Sequence, residues 1–140
     1  MFNLRRFIEA QDPIYDEVCA ELRAGHKRTH WMWYVFPQLR GLGLSEMAHY
    51  YGIESLDEAK AYLEHPRLGA RLVECTELVM AVEGRHIRQI FGTPDDLKFR
   101  SSMTLFGQVP GASAVFQQAL DKYFAGEPDP ATLTLLQSGR

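Results

Sequence analysis

Apolar residues recur along this chain at helical spacing. Leu68, Leu72, Cys75, Val79 and Val82 follow one another at steps of four, three, four and three, which places all five on one face of a helix. Val115, Phe116, Ala119, Leu120, Tyr123 and Phe124 form a second stripe, stopped by Gly126, and Ile14, Val18, Cys19 and Leu22 form a third, stopped by Gly25. A shorter stripe, Ile87, Ile90 and Phe91, lies between Gly84 and Gly92. Polar punctuation agrees with these stripes. Asp12-Pro13, Thr93-Pro94-Asp95-Asp96 and Asp129-Pro130 each put a capping side chain before a proline, whose missing N–H costs nothing in a first helical turn. Ser55-Leu56-Asp57-Glu58 has the spacing of a capping box, and Pro66 ends the helix that follows it near His65. Helices are therefore expected to begin near Pro13, Leu56, Pro66, Pro94, Ala114 and Pro130. No segment alternates apolar and polar residues beside hairpin turn chemistry. The expected fold class is all-α: a single domain over residues 1–140, an irregular or orthogonal array of about seven or eight short helices. Phe7, Leu22, Trp31, Phe36, Leu72, Val79, Leu105, Phe116, Leu120 and Phe124 are its expected core.

One segment breaks the pattern. Trp31-Met32-Trp33-Tyr34-Val35-Phe36 has no polar face, so it must be buried on most sides in either backbone conformation. Thr29 as a cap and Pro37 as a stop favour a helix of about two turns. Aromatic and β-branched content favours a strand. The helical surroundings tip the reading to helix, and periodicity alone leaves both open.

Length and composition set bounds. The 140 residues suit one core, and 46% hydrophobic with 24% charged residues is the balance of a folded globular chain. A formal net charge of -3 provides no domain-wide positive footprint, so no nucleic-acid partner is expected. No signal-type run and no apolar stretch of about 18 residues occurs, so no membrane association and a cytoplasmic location are expected. Cys19 and Cys75 each fall on a helical stripe and are expected to pack in the core as small hydrophobes.

Three runs resemble a known family: Phe7-x-x-Ala10-Gln11-Asp12, Lys27-x-x-His30-Trp31-Met32-Trp33-x-x-Phe36-Pro37-Gln38 and Lys98-x-x-Ser101-Ser102-Met103-Thr104-Leu105-Phe106. They are similar to the bacterial domain-of-unknown-function family numbered 1810, from Phe2 to about Leu136. Some of its members carry the label calpastatin, for which no residue here gives support. The resemblance implies a mostly helical bacterial domain and transfers no catalytic residue.

Candidate chemistry comes from two clusters. The first pairs the basic stretch Arg23, His26, Lys27, Arg28 and His30 with Trp31 and Trp33, so cationic donors adjoin stacking surfaces. In the second, Lys98, Ser101, Ser102 and Leu105 share one helix face, which Asp95 extends toward the helix start. If both line one pocket, Lys27 and Lys98 attract an anion, Trp31 or Trp33 packs on it, and His30, Asp95 or Ser102 polarises it. Gln11, Asp12 and Gln38 are candidates for further wall. The expected ligand is a small anionic or nucleotide-like molecule, with catalysis open. Each cluster also has a plainer reading, as satisfied core or solvated charge. A Lys–Ser nucleophile pair is disfavoured by its order and its place inside a helix. His26 and His30 have a metal-ligand spacing but no accompanying carboxylate or cysteine, so no metal and no cofactor is expected. The alternative function is a non-catalytic protein-interaction module, and the oligomeric state stays open.

Overall fold

A computed structural model describes residues 2–138. Ten helices follow in order among them: α1 (Arg5–Gln11), α2 (Tyr15–Arg23), α3 (Met32–Val35), α4 (Glu46–Tyr50), α5 (Leu56–Glu64), α6 (Leu68–Met80), α7 (Ile87–Phe91), α8 (Asp95–Gly107), α9 (Val115–Phe124) and α10 (Pro130–Ser138). The array is all-helical, and the expected seven or eight helices become ten. The extra elements are short ones that leave no stripe. In α1 the buried side chains include Arg6 and Gln11, and in α4 none is buried. Strand pairing among the described residues is limited to one parallel bridge between Leu39 and Ile53.

Helix starts fall within two residues of the expected ones, at Tyr15, Leu56, Leu68, Asp95, Val115 and Pro130. The chemistry of three starts differs. At α8 Pro94 takes the cap position without a side-chain cap, and the Thr93 hydroxyl donates to Asp96 at 3.1 Å. Asp12 does not cap α2, because its carboxylate pairs with Arg71 at 2.8 Å and Arg67 at 3.2 Å. At α5, Ser55 accepts from the Glu58 N–H at 3.3 Å, but the Glu58 carboxylate accepts from the Glu54 N–H at 2.7 Å instead of closing the box on Ser55.

The long stripes bury as their spacing requires. α6 turns Leu68, Leu72, Cys75 and Val79 inward, against α2, α5 and α9. α8 is enclosed on several sides by α5, α7, α9 and α10, so all six residues from Ser101 to Phe106 are buried. Nine of the ten expected core residues are buried. Phe124 is the exception, half-buried at the end of α9 with its ring 6.4 Å from that of Phe99. The aromatic run resolves as a single helical turn, Met32–Val35, shorter than the two turns expected. Thr29 does not cap it, since the Thr29 hydroxyl donates to Glu21 at 2.7 Å and Trp31 occupies the cap position. Phe36 beyond it packs edge-on against Phe91 and Phe99, with centroids 5.7 and 5.1 Å away. Segment 31–36 thereby joins α7 and α8.

Candidate functional site

The start of α8 brings the two clusters together. Asp95 stands in its first turn, where a carboxylate is favoured by the helix dipole. Its Oδ2 lies 2.9 Å from Lys27 Nζ, and its Oδ1 lies 3.5 Å from Lys98 Nζ. Each ammonium also lies over an indole, Lys27 over Trp31 at 5.1 Å and Lys98 over Trp33 at 5.0 Å from the ring centroid. One carboxylate between two lysines leaves this group with a net positive charge. The lysines differ in access. The Lys27 side chain is 6% exposed and its backbone N–H donates to the Ile90 carbonyl at 2.7 Å, whereas the Lys98 side chain is 24% exposed. Lys27 is therefore held between α7 and α8, and Lys98 stands at the rim beside half-buried Trp33.

Glu21 organises the segment that carries these tryptophans. Its carboxylate accepts from the N–H groups of Arg28 and Thr29 at 2.8 and 3.2 Å, the Thr29 hydroxyl at 2.7 Å and the Trp31 indole at 2.9 Å. Burial alone would raise its pKa, but these hydrogen bonds to the ionised form outweigh it and hold the carboxyl below the ordinary carboxylate value. Sequence reasoning missed Glu21. Its position three residues after Val18, beside Leu22 on a buried stripe, was the available signal.

The other candidates disperse. His30 is exposed, and its carbonyl receives a long contact from the Tyr34 hydroxyl at 3.4 Å. Ser101 donates to the Leu97 carbonyl and to Asp129, both at 3.1 Å, and so serves the start of α10. Ser102 is fully buried with an unpartnered hydroxyl. Gln11 joins a second polar cluster: its amide donates to the Tyr34 carbonyl at 2.6 Å and the Tyr62 hydroxyl at 3.0 Å, and its oxygen accepts from Arg71 at 3.3 Å. Asp12 belongs to that cluster through Arg67 and Arg71. Gln38 is half-buried, and its carbonyl accepts from the Ile53 N–H at 2.9 Å. The three catalytic candidates His30, Asp95 and Ser102 share no hydrogen bond among the described residues, and Asp95 is already occupied by two cations. Two sizeable clefts open elsewhere, one of about 710 Å³ beside Arg40, Ser55 and Leu136, the other of about 620 Å³ beside Val73, Val109 and Phe116. No helix among the described residues is long and apolar enough to cross a membrane, and no group of three or more His, Cys, Asp and Glu among them could hold a metal ion.

Lys27 and Lys98, the two cations that meet at Asp95, open two of the three runs that carried the resemblance. Residues 1–136 match the family described as Protein of unknown function (DUF1810), and the chain belongs to it. The conserved hypothetical protein Rv1873 from Mycobacterium tuberculosis has the same fold in its crystal structure, with 58% sequence identity, a TM-score of 0.96 and 97% of each chain covered. No curated protein matches.

Proposed function

We propose that the surface formed by Trp33 and Lys98 binds a small anionic, nucleotide-like ligand reversibly and without bond-making chemistry. The observation that carries this reading is Lys98: a partly exposed ammonium poised over an indole, in a group whose single carboxylate is shared by two lysines. A planar base can stack on Trp33 while Lys98 meets phosphate oxygens. Lys27, Trp31 and Glu21 hold this surface from behind. The dispersal of His30, Asp95 and Ser102 is the reason binding, and no catalysis, is proposed.

Titration with ADP and ADP-ribose, followed by tryptophan fluorescence, tests the proposal. Saturable binding is expected, and Lys98→Ala should weaken it by about tenfold or more, the equivalent of roughly 1.5 kcal/mol for a charge-assisted hydrogen bond, with folding stability changed by less than about 1 kcal/mol. An unsaturable signal with every phosphorylated ligand, or equal affinity in the variant, refutes it. A second reading, a protein-interaction module, draws on Leu44, Met47 and Tyr50, large apolar side chains exposed within one short segment.

A further inference from the structure

The formal net charge of -3 conceals an uneven distribution. Residues 22–30 and 84–94 contain no Asp or Glu, yet they hold five of the fifteen Lys and Arg and three of the five His. The remaining positions hold ten Lys and Arg against eighteen Asp and Glu, a formal charge of -8. Folding brings the two basic segments side by side. The Lys27 N–H donates to the Ile90 carbonyl at 2.7 Å, and buried Gly25 lies under the stem of Arg85, where an added Cβ would come within 3.2 Å of Arg85 Cδ. Arg23, His26, Arg28, Arg85, His86 and Arg88 are all exposed. These four arginines form no ion pair among the described residues, unlike Arg5, Arg6, Arg67 and Arg71, each of which meets a carboxylate. Glu21 beneath the first segment is buried, with its oxygens occupied by the donors described above. Exposed Glu17 and Glu83 stand at the edges, too few to neutralise four arginines.

We infer that this face binds the phosphate backbone of a nucleic-acid duplex without reading its sequence. An unpaired guanidinium offers a planar fork of donors that matches phosphate oxygens. Four of them on two adjoining segments exceed what one small anion can occupy, whereas a duplex presents phosphates in a regular row. What the face lacks also fixes the partner. The exposed large apolar side chains, Leu44, Met47, Tyr50 and Leu97, belong to other segments, so this face has nothing to insert into a lipid surface. Its one aromatic residue, Phe91, is buried, so no base can stack there and the backbone is the element recognised. The excess of acid elsewhere repels a polyanion and turns this face toward it.

Fluorescence anisotropy of a labelled DNA duplex of arbitrary sequence, titrated with the chain at a series of salt concentrations, tests this. Saturable binding is expected at low salt, with the logarithm of the binding constant falling linearly with that of salt at a slope of about -3 to -4, one phosphate for each arginine. Arg23→Gln combined with Arg88→Gln should weaken binding by about tenfold or more and reduce the slope by about two. Both side chains are exposed, so the fold tolerates the change, and circular dichroism checks that it does. Lys60→Gln, which removes an exposed cation of α5 outside this face, should alter neither affinity nor slope. The inference is overturned by an absence of binding at low salt, by a slope near zero, or by an equal loss in Lys60→Gln. Phosphatidylserine vesicles or poly-glutamate bound as tightly as the duplex at the same salt would also overturn it, in favour of a lipid or an acidic protein. The wild-type slope decides even if a variant fails to fold.

Discussion

At the scale of single residues, burial separates groups that look alike in sequence. Lys27 and Lys98 are both lysines beside a tryptophan and Asp95, yet one is sealed and the other stands at the rim. Sequence spacing shows which residues share a face. It does not show which end of a face is covered, because that depends on elements far along the chain. The serine pair makes the same point: adjacent positions place Ser101 on Asp129 and Ser102 in a site without a partner. Glu21 gives the sharpest prediction at this scale. Its folded-state pKa is depressed, so the stability it contributes is fully present above the unfolded carboxylate value near 4.3 and is lost as pH falls through the lower folded value. Urea unfolding across the acid range should therefore show a falling limb that Glu21→Gln flattens. At pH 7 the same variant should cost about 1–3 kcal/mol, because a neutral amide satisfies the two N–H groups, the hydroxyl and the indole poorly. An unchanged acid limb would mean that Glu21 titrates alike in both states.

At the scale of elements, legibility followed the stripes. α6 and α9 were readable because each buries an apolar row, although neither start carries a side-chain cap, α6 ends at Met80 short of Val82 and Gly84, and Ala125 takes the left-handed position at the end of α9 before Gly126. α1 was hidden because Arg6 and Gln11 are buried polar residues with distant partners, and α4 because it buries nothing. The aromatic run shortened to one turn because Glu21 claims the Thr29 side chain and two preceding N–H groups. The turn between α5 and α6 carries a constraint that no periodicity shows. A Cβ on Gly69 would lie 2.1 Å from the Leu63 carbonyl oxygen, backbone against side chain, with no flexible end to move aside. Gly69→Ala should therefore cost more than about 2 kcal/mol in urea unfolding even though alanine is the better helix former. A neutral effect would show that α5 and α6 separate there without loss.

At the scale of the whole molecule, the fold class and the approach of Lys27 to Lys98 through Asp95 were legible, whereas the long-range polar ties were not. The segment between Leu39 and Ile53 leaves the core and returns. The Arg40 N–H donates to the Ile53 carbonyl at 2.8 Å, and the Ile53 N–H donates to the Gln38 carbonyl at 2.9 Å, closing it at its base. Its one helix, α4, buries no side chain, so hydrophobic burial does little to hold it. Arg6 supplies the restraint from α1. It donates to the carbonyls of Asn3, Tyr50 and Gly52 and pairs with Glu58 of α5 at 3.0 Å, with both side chains at most 5% exposed. The attraction of such a pair is offset largely by the cost of taking two charges out of water, so its removal as a unit should be mild while removal of one partner should not. Arg6→Met should cost about 3–5 kcal/mol, because it strands the Glu58 charge and frees the carbonyls of Tyr50 and Gly52. Arg6→Met with Glu58→Leu should recover a good part of that loss, while hydrogen exchange in residues 40–52 stays faster than in the unaltered chain because those carbonyls still lack their donor. A double variant as unstable as the single one, or exchange in 40–52 no faster than in the unaltered chain, would show that the segment is held by contacts other than Arg6.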